Sequence, residues 1–193
     1  CSEAASCVID CSGKSSCDDT ITCGTDCQIN CTGDSSCAGK IKCGSGKCDV
    51  ACSGSACKDK IQCDEADNCT ITCKDGGCTD KVQCGTGNCT VTCDNGSCTD
   101  KVLCGKGDCD VTCTNKSCKN KIVCGDGACT VKCSGDSCDN DIVCGKGACD
   151  VTCSETSCDG AVTCAGSCSC KTDCDSGSCQ SVSCPAGCKS SDE

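Results

Sequence analysis

The stretch CTVTCDNGSCTDKVLCGKGDC, residues 89–109, decides how this chain is built. It opens with Cys89-Thr-Val-Thr-Cys93. Successive side chains of a strand point to opposite faces, so Cys89, Val91 and Cys93 share one face and Thr90 and Thr92 the other. A shorter strand, Lys101-Val-Leu-Cys104, sends Val102 and Cys104 one way and Lys101 and Leu103 the other. Between and after these strands come Asp94-Asn-Gly-Ser97 and Gly105-Lys-Gly-Asp108, both rich in turn residues. Gly and Asn are expected to supply positive φ there. β-Branched residues hold the strand centres.

The pattern recurs along the whole chain. One apolar column is Ile9, Ile29, Val50, Ile71, Val91, Val111, Val131 and Val151, with Thr172 as its continuation. A second is Ile21, Ile41, Ile61, Val82, Val102, Ile122, Ile142, Val162 and Val182. Successive members are 20 or 21 residues apart. Strand, turn, strand, turn at that period describes an all-β, disulfide-stapled β-solenoid of about nine coils, each flattened around a thin interior. Coils stacked at about 4.8 Å make a rod roughly 43 Å long, each leaning only on its neighbours. The reading is one repeat domain over residues 1–193, with a C-terminal cap over 164–193, where Pro185 and a polar tail depart from the repeat.

Composition requires covalent help. The 193 residues include 39 cysteines and no Phe, Tyr, Trp, Met or His. Val, Ile and Leu103 alone cannot offset the ordering entropy of such a chain. This much Cys reads as a disulfide framework made in an oxidising compartment. Cys89 and Cys93 lie about 13 Å apart along one strand, too far to bridge. Cys93–Cys98 flanks a four-residue turn and is the expected pair, with Cys113–Cys118, Cys133–Cys138 and Cys153–Cys158 as its equivalents. Cys104 has two choices: Cys89 of its own coil, or Cys109 of the next, which would staple coil to coil. The odd total leaves one Cys without an internal partner. Cys1 is the expected one, either at a cut edge or bonded to another chain. A start at Cys1 rather than Met points to a processed chain or a fragment.

The formal net charge of −11 disfavours nucleic acid and anionic membrane surfaces as partners. No apolar run is long enough for a transmembrane helix. Thiolate metal binding is not expected: the Cys spacings of 4, 5 and 6 follow strand and turn, and no His is present. No cofactor is expected, and calcium binds weakly at most, through Asp and Gly in the turns, because turn chemistry already explains those residues. Nothing in the chain supplies a base for a Ser or Cys nucleophile, so an enzyme is not expected. Lys40, Lys60, Lys81, Lys101 and Lys121 fall in one column that ends at Asp141, with Asp59, Asp80 and Asp100 placed to screen three of them. That column is either a solvated face or a docking surface for acidic glycan. Sequons for N-glycosylation occur at Asn30, Asn68, Asn88, Asn95 and Asn115, the last two in turns.

Two resemblances add to this reading. Val111-Thr-Cys-Thr-Asn-Lys-Ser-Cys118 resembles the Thr-Cys-Thr repeats of beetle antifreeze proteins, which are small disulfide-stapled β-solenoids. The resemblance implies an ice-binding ladder built from Thr70, Thr72, Thr90 and Thr92 and extended by Thr112, Thr130 and Thr152. Asp49, Asp110, Asp150 and Lys132 interrupt that ladder, and the period is 20 rather than 12. Units of the form CxVxCxxxxC also resemble Cys-rich repeat proteins of microbial and protist cell surfaces, which implies location more than activity. The expected function is a rigid extracellular or cell-surface rod, a surface, wall or filament component that self-associates end to end. Ice binding and glycan adhesion are the alternatives.

Overall fold

The computed structural model describes residues 6–164, 166, 169–176 and 178–183. Its strands, in chain order, are β1 (Ser6–Cys11), β2 (Ile21–Thr22), β3 (Asp26–Cys31), β4 (Ile41–Lys42), β5 (Lys47–Ser53), β6 (Ile61–Cys63), β7 (Asn68–Lys74), β8 (Val82–Cys84), β9 (Asn88–Cys93), β10 (Val102–Leu103), β11 (Cys109–Cys113), β12 (Ile122–Val123), β13 (Cys129–Cys133), β14 (Ile142–Cys144), β15 (Cys149–Cys153), β16 (Ala161–Cys164), β17 (Cys170–Cys174) and β18 (Ser181–Ser183). Odd-numbered strands form one nine-stranded parallel sheet and even-numbered strands the other. The fold is a β-solenoid of about nine turns. Strands β17 and β18 continue both sheets into the span expected to be a cap, because Cys170, Thr172 and Val182 still occupy the repeat's positions. The terminal residues 184–193, and Cys1, lie outside the described residues.

Both apolar columns are in register. Ile71 pairs with Val91, and Val91 with Val111; Val82 pairs with Val102, and Val102 with Ile122. Val91 and Val131 are fully buried, and Thr172 occupies the same column at 0% exposure. With the inward cysteines these residues form one continuous core. Each coil interior is therefore a central Val/Ile row with sulfur on either side, which is how a chain without aromatics fills its volume.

The disulfides settle the pairing. Cys93–Cys98, Cys113–Cys118, Cys133–Cys138 and Cys153–Cys158 form as expected, each closing the turn after a long strand. Cys104 bonds Cys109, with Cα atoms 6.0 Å apart. This bond does not staple stacked strands. It closes the loop that carries the chain from one coil to the next, as do Cys84–Cys89 and Cys124–Cys129. Disulfides between described cysteines in the repeat, such as Cys23–Cys27 and Cys31–Cys37, span only four to six residues.

The turns differ from expectation in one respect. In the first turn, Asn95, Asn115 and Gly96 do adopt positive φ. So does the second cysteine of each first-turn pair: Cys17, Cys37, Cys57, Cys78, Cys98, Cys118, Cys138, Cys158 and Cys179 have φ between 51° and 62°. A left-handed non-glycine residue costs roughly 1–2 kcal/mol, and a disulfide closing so short a loop contributes about 2 kcal/mol on the chain-entropy account. The bond thus offsets the conformation it needs. In the second turn, Gly105 and Gly125 are present for another reason. A Cβ on Gly125 would lie 1.4 Å from the Gly105 carbonyl oxygen, and one on Gly105 would lie 1.5 Å from that of Gly85. Neighbouring coils approach here through bare backbone.

Gly125→Ala is expected to cost at least about 3 kcal/mol, or to prevent oxidative folding, because backbone cannot move aside. Gly96→Asn keeps a left-handed conformation in a position with nothing within 4 Å of the added Cβ, and is expected to change stability by less than about 0.5 kcal/mol. Denaturant midpoints of the two oxidised variants check this; a loss in Gly125→Ala no larger than that in Gly96→Asn would mean that close approach does not select Gly125.

Candidate functional site

The outward surfaces of the two sheets are where the repeat presents chemistry. On the long-strand sheet the outward residues form two columns. Thr70 pairs with Thr90 and Thr72 with Thr92, so four threonines make a two-by-two block. The block extends in one column to Thr112. Beyond it Asp110 precedes Thr130, and Lys132 separates Thr112 from Thr152. Asp49 sits beside Thr70 and forms an ion pair with Lys47 at 2.8 Å, which raises the Lys47 ammonium above its ordinary value. Ala51 is short of its neighbours Asn30 and Thr72, leaving a shallow notch lined also by Gln28, Asp49 and Thr70.

The short-strand sheet carries the lysines. Backbone bonds fix their spacing: Ile41 N–H donates to the Lys60 carbonyl (3.1 Å), Ile61 N–H to Lys81 (3.0 Å), Val82 N–H to Lys101 (3.0 Å) and Val102 N–H to Lys121 (3.2 Å). Lys121 reaches Asp141 of the following coil at 2.9 Å. That contact holds the Asp141 carboxyl below the usual range, helped by the Ala161 N–H. The neighbouring aspartates form no ion pair with the other lysines, and their hydrogen bonds go elsewhere. Asp59 accepts from the Lys60 backbone N–H at 2.7 Å, Asp80 from the Lys81 backbone N–H at 2.6 Å, and Asp100 from Asn120 Nδ2 at 3.1 Å. Asp59 and Asp80 each cap the N–H of the residue that follows, while Asp100 is held by the side chain of the next coil's Asn120. Lys40, Lys60, Lys81 and Lys101 make no ion pair with any described carboxylate.

The sequons lie along the edges and the long-strand face. Asn68 and Asn88 are exposed and in register on adjacent coils, and Asn88 Oδ1 accepts from the Asp108 N–H. Asn30 is half-buried in β3. Asn95 and Asn115 are exposed, but each side-chain nitrogen, the atom a glycan would occupy, donates to a carboxylate: Asn95 to Asp75 at 2.7 Å and Asn115 to Asp94 at 2.8 Å. With Thr114 Oγ1 also donating at 2.7 Å, Asp94 is held below the ordinary carboxylate range. In the acidic patch nearby, desolvation pushes Asp139 up, with Lys119 opposing and Asp159 and Asp136 adding to the rise. Sulfur atoms of Cys43, Cys48, Cys63 and Cys69 lie within 4.8 Å of one another, but they are paired as Cys43–Cys48 and Cys63–Cys69 and offer no thiolate.

A buried serine ladder escaped the sequence reading. Ser97 N–H donates to Ser117 Oγ (3.2 Å), Ser117 N–H to Ser137 Oγ (3.2 Å) and Ser137 N–H to Ser157 Oγ (3.3 Å). All four serines are at most 1% exposed. The signal was the recurring Ser-Cys pair, read only for its cysteine. The hydroxyls of Ser117, Ser137 and Ser157 each accept from the amide of the preceding coil's serine, and Ser97 Oγ donates to the Asp94 carbonyl at 2.6 Å. Ser117→Ala removes the acceptor of the Ser97 N–H and is expected to cost about 1–3 kcal/mol. Thermal melting of the oxidised protein checks this; an unchanged midpoint would mean that the ladder adds nothing to stability.

No protein-family model matches this chain, and no curated protein or solved structure matches it either, so its function is argued from these two faces and the stack that carries them.

Proposed function

We propose that this chain is an extracellular structural rod, a component of a surface, wall or filament. The observation that carries the reading is the combination within each coil. Both turns are closed by disulfides, while adjacent coils are joined in register by parallel backbone hydrogen bonds through nine strands of each sheet. A body built this way resists local opening, since no turn can fray without breaking a covalent bond. Its disulfides require an oxidising compartment. The long-strand and short-strand faces carry shallow relief, suited to lateral contact rather than to enclosing a small substrate.

Under non-reducing conditions, electron microscopy is expected to find straight rods of about 43 Å, or filaments with that axial repeat. Protease treatment is expected to leave the described coils intact until a reductant is added. Flexible or globular particles, or ready digestion of the oxidised chain, would reject the rod; isolated rods at every concentration would reject the filament form.

One observation favours a second reading. The Thr70, Thr72, Thr90 and Thr92 block is in register on a parallel sheet, which supports ice binding through spaced hydroxyl and methyl groups. Thermal hysteresis of the intact protein, lost in Thr90→Lys/Thr92→Lys, is the expected result under that reading. Absence of hysteresis, or its survival in the double variant, would remove it.

A further inference from the structure

We infer that the short-strand face is a binding surface for a linear acidic polysaccharide, one that carries a carboxylate or sulfate on each sugar unit. This does not rest on the rod's mechanical role. Four consecutive coils present Lys40, Lys60, Lys81 and Lys101 in one column, and Lys42 stands beside Lys40 on the same face. At about 4.8 Å per coil, neighbouring ammoniums repel by up to about 1 kcal/mol in water, and this lies within the screening length of physiological salt. A chain with 28 carboxylates and a net charge of −11 has ample means to neutralise them. It does so elsewhere, at Lys47–Asp49, Lys121–Asp141 and Lys146–Asp126. Along this stretch it instead turns Asp59, Asp80 and Asp100 toward the backbone and Asn120. The result is a row of lysines, one per coil, that form no ion pair with any described carboxylate although Asp59, Asp80 and Asp100 flank them, on a molecule of net charge −11, and an anion from outside can pair with them.

The spacing selects the occupant. One positive charge per coil suits a polymer with one negative charge per sugar. Duplex nucleic acid carries a far denser charge, about one per 1.7 Å of axis, and the rest of this surface repels it. The long-strand face of a second copy does not fit: Asp49, Asp110 and Asp150 lie three and then two coils apart, with Lys132 in the adjoining column. Beyond the lysines, the half-buried Leu103, Val123 and Val143 align in one outward column on the same sheet. They offer apolar contact to the ring faces of sugars.

The test uses the whole oxidised chain, titrated calorimetrically with polygalacturonate and, separately, with neutral dextran, at low salt and at about 0.15 M salt. Polygalacturonate is expected to bind, more weakly at the higher salt, and dextran is not. Lys81→Glu/Lys101→Glu is expected to weaken binding at least about tenfold. Lys106→Glu/Lys132→Glu makes the same change in net charge away from this face and is expected to weaken it less than about threefold. Lys81→Gln/Lys101→Gln, which keeps a side chain already used at Gln83 on this sheet, guards against a folding defect in the charge reversal and is expected to weaken binding in the same direction. No binding by the parent, equal loss in both charge-reversal variants, or equal binding of dextran would overturn the inference. So would light scattering that shows parent rods associating without polysaccharide and dispersing on charge reversal, since the occupant would then be a second copy. Rod shape and protease resistance are read without polysaccharide, so failure here leaves the rod proposal standing.

Discussion

Everything in this structure answers to one constraint: each coil lies against a near-copy of itself at the spacing of hydrogen-bonded strands, about 4.8 Å. A residue must therefore tolerate its own kind directly above and below. Val and Ile do so by packing, as in Ile71, Val91 and Val111. Serine does so by accepting its neighbour's amide proton, as Ser117 does for Ser97. Glycine is used where even a methyl group has no room, as at Gly105 above Gly85. Asp59 and Asp80 stack with their carboxylates turned to backbone N–H groups, and the lysine column beside them ends in an ion pair where the sign changes, at Lys121 and Asp141.

The same constraint separates what the sequence disclosed from what it hid. Properties that repeat with the period were legible: the strand positions, the inward columns, the Thr and Lys faces and the Cys93–Cys98 class of bonds. Properties that depend on contact between coils were not. Gly105 reads as a turn residue, yet it is selected by the carbonyl of the coil beside it. Asp80 sits next to Lys81 in the chain and looks like its partner, yet its carboxylate serves the backbone N–H of that lysine. Adjacency in sequence does not say which atom of a neighbour a side chain meets. Left-handed φ at Cys98 was hidden for a related reason, because the disulfide that holds it there is invisible to residue propensity. The choice between Cys89 and Cys109 for Cys104 turned on the path of the second turn, which spacing alone leaves open.

The candidate faces were legible to the same degree. The lysine column could be read from its period, but its lack of carboxylate partners could not. That lack leaves Lys40, Lys60, Lys81 and Lys101 able to take an ion-pair partner from outside. The sequons show the reverse effect. Asn95 and Asn115 stand in turns, and each side-chain amide also donates to a carboxylate of the preceding coil, Asp75 and Asp94, a contact that spacing does not reveal.

The division of labour between bonds follows from where the cysteines fall. Disulfides of four to six residues constrain little of the unfolded chain, about 2 kcal/mol each against nearly 5 for a loop of a hundred residues. They are also local, so each coil finds its own partners without searching the rest of the chain, and coils can be added without disturbing the pairing of those present. Cohesion along the axis then rests on backbone hydrogen bonds, the Val/Ile rows and the serine ladder. Reduction and axial tension therefore attack different parts of the molecule: reduction opens the turns of every coil at once, whereas tension peels one intact coil from the next. The backbone, and disulfides such as Cys104–Cys109, run covalently from one coil to the next, so a coil peeled from the end stays tethered while the remaining coils keep their stacking.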